Sequence, residues 1–174
     1  YLINHQENIK KRKFKIIKQL ISETLKTKIH FFINDINEKN YRLNLNFGHT
    51  FAHAIEMATD DNFKKDYLRH GEAVGIGIMC EIYYSHKGKS ALLEETENIL
   101  KIYNLPTKIF NTNKNIDFAK IQNNIYKGIF LDKKKINKYP RYISLKKKYK
   151  PQVNEIENLD LLNHTIKFFL NWKI

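Results

Sequence analysis

The clearest structural signal in this chain is the run Asn46-Phe47-Gly48-His49-Thr50-Phe51-Ala52-His53-Ala54-Ile55-Glu56. It predicts a helix that starts near Asn46 and ends at about Thr59. On such a helix His49 and His53 are four residues apart, which places both imidazoles on one face with about 6 Å between their backbone positions. The run therefore predicts a helix face that presents two histidines side by side.

A second informative run begins seventeen residues after the second histidine and reads His70-Gly71-Glu72-Ala73-Val74-Gly75-Ile76-Gly77. It predicts a helix over about His70–Lys87 with Gly88 as its C-cap. Glycines inside a helix each cost about 1 kcal/mol relative to alanine, so Gly75 and Gly77 indicate close backbone packing against another element. At the start of this helix, His70 is expected to point toward the face that carries the two earlier histidines.

The remaining patterns predict a mainly α, multi-helical chain with a small β-hairpin, and we assign residues 1–174 to one helical domain. The other predicted elements are a basic amphipathic helix over Gln6–Lys28, a polar loop over Asn34–Asn40, a helix from Ser90 to just before Pro106, a helix over Ile116–Leu131, two short strands within Tyr139–Val153 and a helix over Leu159–Trp172. The sequence contains no glycine-rich phosphate loop of the nucleotide-binding kind.

The composition excludes several classes of protein but identifies no site. Among the 174 residues, 31 Lys and Arg outweigh 18 Asp and Glu, which gives a net charge of +13. That charge fits an anionic partner, but the lysines are spread along the whole chain, as in general compositional drift. The single cysteine, Cys80, excludes a disulfide framework, and no apolar run is long enough to span a membrane.

The histidine pattern is compatible with a metal site. Neutral imidazole is a common zinc ligand, and a catalytic zinc usually takes three protein ligands with one open position. A pair of histidines four residues apart is, however, more often a packing feature than a ligand pair. Glu56 and Glu72 are either further ligands or carboxylates on the helix surface. Spacing alone therefore leaves two interpretations of these histidines, namely a metal site in a basic helical domain and a packing feature of the helix.

The same residues resemble a known family. Asn46–Glu56, followed by His70–Val74, closely resembles the C-terminal domain of 3-dehydroquinate synthase. Upstream, Lys28 through Glu56 follows the family pattern without a gap, and the downstream run Asp132-Lys133-Lys134 resembles its Asp-Lys-Lys segment. The resemblance covers residues 28–153, most of the chain. It implies the multi-helical fold of that domain, with the Rossmann-like NAD domain absent from this chain.

The resemblance also implies roles for individual residues. It implies two metal ligands, His49 and His70, and two acid–base residues, His53 and Glu38. It implies four substrate-binding residues, namely Lys28, Arg42, Asn46 and Lys134. Lys26 is a rival for Lys28, but the spacing to Asp35 favours Lys28. Lys133 is a rival for Lys134, and no spacing decides between them. No residue of this chain is assigned to cofactor binding.

For the whole enzyme, the resemblance implies a carbon–oxygen lyase that converts 3-deoxy-arabino-heptulosonate 7-phosphate to 3-dehydroquinate and phosphate. This reaction belongs to the shikimate pathway of chorismate and aromatic amino acid biosynthesis. The implied cofactors are zinc or cobalt, together with NAD bound mainly by an N-terminal domain. The implied partner is an anionic sugar-acid phosphate, and a homodimer is common in the family. We expect no nucleic-acid or membrane partner, and a cytoplasmic location, since no targeting segment is visible.

The sequence also departs from the family. Ala52 stands where glycine is common, and the family's third metal ligand, a glutamate, falls upstream of Tyr1. No glutamate of this chain stands in a matching context, so we expect a fragment that is inactive by itself. One alternative is another sugar-phosphate cyclase of the same superfamily. A second alternative, from a different class, is a basic helical module that binds nucleic acid.

Overall fold

The computed structural model describes residues 1–39, 41–63, 67–110, 116–131, 139–145 and 150–170. Within these ranges the elements follow in the order α1 (Gln6–Lys10), α2 (Phe14–Asn34), a 3-10 helix (Arg42–Asn46), α3 (His49–Phe63), α4 (His70–His86), α5 (Ala91–Ile102), α6 (Phe118–Leu131), β1 (Arg141–Leu145), β2 (Pro151–Glu155) and α7 (Leu159–Leu170). The mainly α fold with one small hairpin is therefore confirmed.

The core forms around α4. Eleven of its 17 residues are buried, so this helix is enclosed by neighbours on nearly all sides. Helix α3 packs against α4 on one side and α6 on the other, while α7 covers α4 and α6. The largest fully buried side chains of this core include Phe51, Phe110 and Phe169, one from α3, one from the segment after α5 and one from α7. The two helices that carry the histidines are thus also the centre of the fold.

Helices α3 and α4 approach each other at backbone distance. A Cβ atom added to Gly77 would lie 2.0 Å from the carbonyl oxygen of Gly48 and 3.0 Å from the amide nitrogen of Ala52. Gly48 itself has a φ of +84°, in the region that favours glycine. The expected close packing at Gly77 is confirmed, and Ala52, fully buried, fits beside it. At Gly75 the neighbour is the Leu100 side chain, 3.2 Å from the added Cβ.

The hairpin is attached to both of these helices. Strands β1 and β2 pair antiparallel, with Ile143 opposite Val153. The Thr50 hydroxyl at the start of α3 donates a hydrogen bond to the Arg141 carbonyl oxygen over 2.7 Å. The Ile143 amide donates to the carboxylate of Glu81 on α4 over 2.9 Å. Strand β1 therefore ties the beginning of α3 to the middle of α4.

The N-terminal helix predicted over Gln6–Lys28 is wrong in its bounds. The chain forms two helices, because Arg12 has a φ of 52° that interrupts the first one, and α2 then continues to Asn34. The Asp35 carboxylate explains the turn that follows. It accepts hydrogen bonds from the backbone amides of Lys39 and Arg42, each at 3.0 Å, and so closes the loop after the helix.

Two other helix ends also differ from the prediction. Helix α3 begins at His49 and not near Asn46, because a 3-10 helix occupies Arg42–Asn46 and the left-handed Gly48 separates the two. The C-cap of α4 is Lys87 in the left-handed conformation, and not Gly88. The Ser90 cap is confirmed, since its side chain accepts a hydrogen bond from the Leu93 amide. No helix within the described ranges is long and apolar enough to cross a membrane.

Helix α2 has no buried residue in its 21 positions. Its apolar side chains Phe14, Ile21, Leu25, Ile29 and Ile33 are all exposed. Near its N-terminal end the Ile16 carbonyl oxygen accepts a hydrogen bond from the Tyr1 hydroxyl over 3.1 Å, and near its C-terminal end Phe31 stacks on Tyr41 with ring centroids 4.5 Å apart. This helix is therefore an appendage to the core and not a part of it.

The glycine contact gives a stability prediction. Gly77→Ala should lower the free energy of unfolding by about 1–3 kcal/mol, because the new methyl group has no room beside the Gly48 carbonyl. Gly71→Ala in the same helix is the matched control, since nothing lies within 4 Å of its Cβ position. That control should gain up to about 1 kcal/mol of helix propensity. Urea denaturation measures both, and equal effects would contradict the backbone contact.

Candidate metal and substrate site

Three imidazoles converge where α3 meets the start of α4. The ring centroids lie 5.6 Å apart for His49 and His53, 5.4 Å for His49 and His70, and 6.1 Å for His53 and His70. His49 and His70 are the first residues of their helices, and His53 follows one turn after His49. The structure therefore brings the three predicted histidines together, as the two sequence runs indicated.

Hydrogen bonds set which ring nitrogens of two histidines are free. His70 Nδ1 lies 2.9 Å from Glu56 Oε1, and His49 Nδ1 lies 3.3 Å from the Phe47 carbonyl oxygen. A carboxylate and a carbonyl oxygen only accept, so each Nδ1 carries the proton as donor. The Nε2 atoms of His49 and His70 are then left with a lone pair, the form in which imidazole binds a metal ion.

A carboxylate also belongs to this cluster. His53, Glu56 and His70 each offer one ligand atom, and these atoms lie within 4.8 Å of one another. Two or three imidazoles with one carboxylate are a donor set suited to zinc and similar divalent ions. Glu72 has a different role, since its Oε2 accepts a hydrogen bond from the Arg69 amide and closes the first turn of α4. Of the two carboxylates that the sequence offered either as ligands or as surface groups, Glu56 lies with the histidines, whereas Glu72 caps α4.

A second polar cluster precedes the histidines along the chain. Glu38 accepts a hydrogen bond from the Asn46 side-chain amide over 3.1 Å and forms an ion pair with Arg42 over 3.4 Å. The Arg42 guanidinium lies 5.0 Å from the ring centroid of Phe32, and it also donates to the Ile36 carbonyl oxygen. The structure thus joins the predicted residues Glu38, Arg42 and Asn46. Only Phe47 and Gly48 separate this cluster from His49 in the sequence.

Only some of the predicted substrate-binding lysines lie within the described residues. Lys28 lies exposed on α2, one turn before Phe32 and thus on the helix side that Arg42 contacts. Lys26, its rival, is about 200° away around the helix and forms an ion pair with Glu23 over 2.8 Å. The geometry therefore favours Lys28. Lys133 and Lys134 both lie outside the described residues.

The electrostatics of the site favour neutral histidine at position 49. The pKa of His49 is lowered from its usual 6.5, mainly because the ring is partly buried. The Phe47 carbonyl raises this pKa, whereas the neighbouring His53 and His70 lower it further. A neutral imidazole is the form that a metal ion requires, so burial prepares His49 as a ligand before any ion arrives.

Together the fold and the site define a multi-helical domain in which His53, Glu56 and His70 form a group that could hold a metal ion, with His49 beside them. The sequence model of the 3-dehydroquinate synthase C-terminal family matches residues 1–135. The chain therefore belongs to the 3-dehydroquinate synthase family, within its C-terminal domain.

Curated relatives agree with this family. The 3-dehydroquinate synthase of Campylobacter fetus subsp. fetus is 36% identical over 134 residues, which cover 74% of this chain and 34% of the relative. That of Helicobacter pylori strain G27 is 36% identical over 130 residues, covering 73% and 34%. That of Legionella pneumophila strain Corby is 34% identical over 150 residues, covering 84% and 38%. The matched part of the chain thus spans little more than a third of these relatives.

The lowered pKa of His49 predicts a pH effect on stability. As the pH falls below 6.5, the unfolded chain protonates this histidine before the folded chain does, so folding loses stability. His49→Gln removes that proton uptake. Between about pH 7.5 and about pH 5.5, the wild-type unfolding free energy should therefore fall more steeply than that of the variant. Parallel pH profiles from urea denaturation would contradict the assignment.

Proposed function

We propose that this chain is the metal- and substrate-binding part of a 3-dehydroquinate synthase. The enzyme would convert 3-deoxy-arabino-heptulosonate 7-phosphate to 3-dehydroquinate and phosphate, as a carbon–oxygen lyase of the shikimate pathway. The observation that carries the proposal is the convergence of His49, His53 and His70, which follow the Glu38–Arg42–Asn46 cluster in the sequence, within the region that matches the family.

The proposed metal ligands are the Nε2 atoms of His49 and His70, with zinc or cobalt as the ion. Glu56 holds the His70 ring through its Nδ1 proton, which fixes the ring orientation and makes the other nitrogen a better donor. Its carboxylate is also close enough to serve as a ligand in its own right. When bound, the metal would supply Lewis acidity to a substrate hydroxyl.

His53 and Glu38 are the proposed acid–base residues. His53 is exposed, and its ring stacks at 6.1 Å on that of His70, so it faces the same space as the proposed ligands. Imidazole exchanges protons readily near neutral pH, which suits a proton shuttle. Glu38 is held by Asn46 on one oxygen and by Arg42 on the other, which fixes its carboxylate for proton transfer.

The proposed anion-binding residues match the charges of the substrate, which carries a carboxylate and a phosphate. Arg42 provides a planar guanidinium that suits both groups, with Asn46 as a neutral donor beside it. Lys28 adds a positive charge from α2, and Lys134 is proposed to add a second one. NAD is proposed to bind to the part of the enzyme that lies outside the matched region. Phosphate release by this chain alone, with NAD and zinc added, would refute that division.

Titration of the 174-residue chain with Co²⁺, followed by its visible absorption, tests the ligands. His49→Ala and His70→Ala should each weaken binding at least about tenfold, because each removes a donor atom. His53→Ala should leave the affinity nearly unchanged. His86→Ala is the matched control, since this histidine lies at the far end of α4, roughly 24 Å along the helix from His70.

The alternatives give different results in the same titration. Equal losses in His53→Ala and Glu56→Gln, with His49→Ala unaffected, would make His53, Glu56 and His70 the ligand set. Unchanged binding in His49→Ala, His70→Ala and Glu56→Gln together would remove the metal site from this cluster.

Calorimetry with the sugar-acid phosphate tests the lysine assignment on the same chain. Lys28→Ala should raise the dissociation constant by about tenfold, the usual scale for losing one charge-assisted hydrogen bond. Lys26→Ala is the control and should bind as the wild type does, because Lys26 already pairs with Glu23 in its own helix. The reverse pattern would make Lys26 the substrate-binding residue.

A further inference from the structure

The most unusual polar side chain of the described structure is Glu81. It lies in the middle of α4 and is fully buried. Its Oε2 accepts a hydrogen bond from the Ile143 amide, whereas its Oε1 makes no hydrogen bond within the described residues. A buried carboxyl group costs free energy unless its neighbours compensate it. Its presence in an apolar helix face therefore calls for a structural or functional reason.

The surroundings of Glu81 supply that reason. Burial raises its pKa to about 8, and the backbone N–H groups of Gly48, Ile143 and Thr50 act in the opposite direction. Two of these, Gly48 and Thr50, are the chain neighbours of His49. The first N–H groups of a helix lack partners within the helix and attract a negative or accepting group. Within the described residues Glu81 is joined to that end of α3 through β1, since its hydrogen-bond partner is the Ile143 amide.

We propose that Glu81 is a positioning residue that anchors β1 and, through β1, holds the beginning of α3, and thereby aims the His49 ring at His70. This inference rests on the proposed metal site and deepens it. The Thr50 hydroxyl donates to the Arg141 carbonyl oxygen and the Ile143 amide donates to Glu81, so β1 links the residue after His49 to α4.

The reason for such a support lies in the geometry of the rings. The His49 and His70 rings are 5.4 Å apart, and each sits on the first residue of its helix, where an end can fray or rotate. A metal site tolerates displacements of only about 0.5 Å in its ligands. The links from Glu81 to β1, and from β1 to the Thr50 side chain, leave the His49 ring little freedom to leave the site.

Two variants of Glu81 separate positioning from general stability. Glu81→Gln keeps the size of the side chain and one accepting oxygen, whereas Glu81→Leu keeps a similar volume but accepts no hydrogen bond. Thr165→Val is the matched control, because Thr165 is fully buried and its hydroxyl bonds only within α7, to Leu161 over 2.7 Å. All three are compared in the 174-residue chain at a temperature where far-ultraviolet circular dichroism shows them folded.

The first measurement needs no metal. In the metal-free chain, a nuclear Overhauser effect between the His49 and His70 ring protons should be present in the wild type, Glu81→Gln and Thr165→Val. It should be lost or strongly weakened in Glu81→Leu. The second measurement is Co²⁺ affinity, which should fall at least about tenfold in Glu81→Leu and stay within about threefold of the wild type in the other two.

The outcomes separate this inference from the proposed function. Wild-type ring contact and affinity in folded Glu81→Leu overturn the positioning role. A lost ring contact in Glu81→Leu, in a chain whose wild type binds no Co²⁺, supports the positioning role and refutes the metal site. If Glu81→Leu does not fold, Glu81→Asp replaces it, since it withdraws the carboxylate by one methylene. An unchanged ring contact in Glu81→Asp would then overturn the inference.

Discussion

The backbone contact between Gly48 and Gly77 is the constraint on which the rest of the structure depends. It lets α3 and α4 run side by side, because no side chain stands between them. From this contact, Glu56 lies eight residues along α3 and His70 lies seven residues back along α4, about 12 Å and 10.5 Å respectively. These nearly equal lengths bring the two residues opposite each other, where they form their 2.9 Å hydrogen bond. The candidate metal-binding group is therefore a product of helix packing.

Much of this arrangement could be predicted from the sequence, since it depends on local spacing. The shared face of His49 and His53 follows from helix periodicity, and the glycines of α4 indicated a close neighbour. The break near Arg12 could not be predicted, because it lies in a continuous run of polar and basic residues without proline or glycine. The role of Glu56 could not be predicted either, because Glu72 has similar chemistry and only tertiary packing separates them. Glu81 was missed, although a carboxylate among the apolar residues 78–84 was a usable signal.

The site combines two kinds of support. The histidines lie on helices in the core, where packing fixes their backbones. The Glu38–Arg42–Asn46 cluster lies on a loop and a 3-10 helix, where its own hydrogen bonds and the Asp35 carboxylate provide the order. Glu38 has a φ of 53°, a conformation with a cost for residues other than glycine, and its bonds to Arg42 and Asn46 offset that cost. The proposed metal ligands are thus held by the packing of their helices, and the polar residues by their hydrogen bonds and ion pair.

The exposure of α2 has a consequence for how the chain responds to a ligand. A helix without buried residues has few apolar contacts that attach it to the rest of the protein. The free energy needed to unfold α2 locally is therefore lower than that needed to unfold α4. Amide hydrogens of α2 would exchange with solvent long before those of α4. Lys28 sits on this weakly held element, whereas His49 and His53 sit on α3 and His70 on α4, the two helices at the centre of the core. An anion that bridges the two would therefore slow exchange in α2 selectively, and part of its binding free energy would be consumed in ordering that helix.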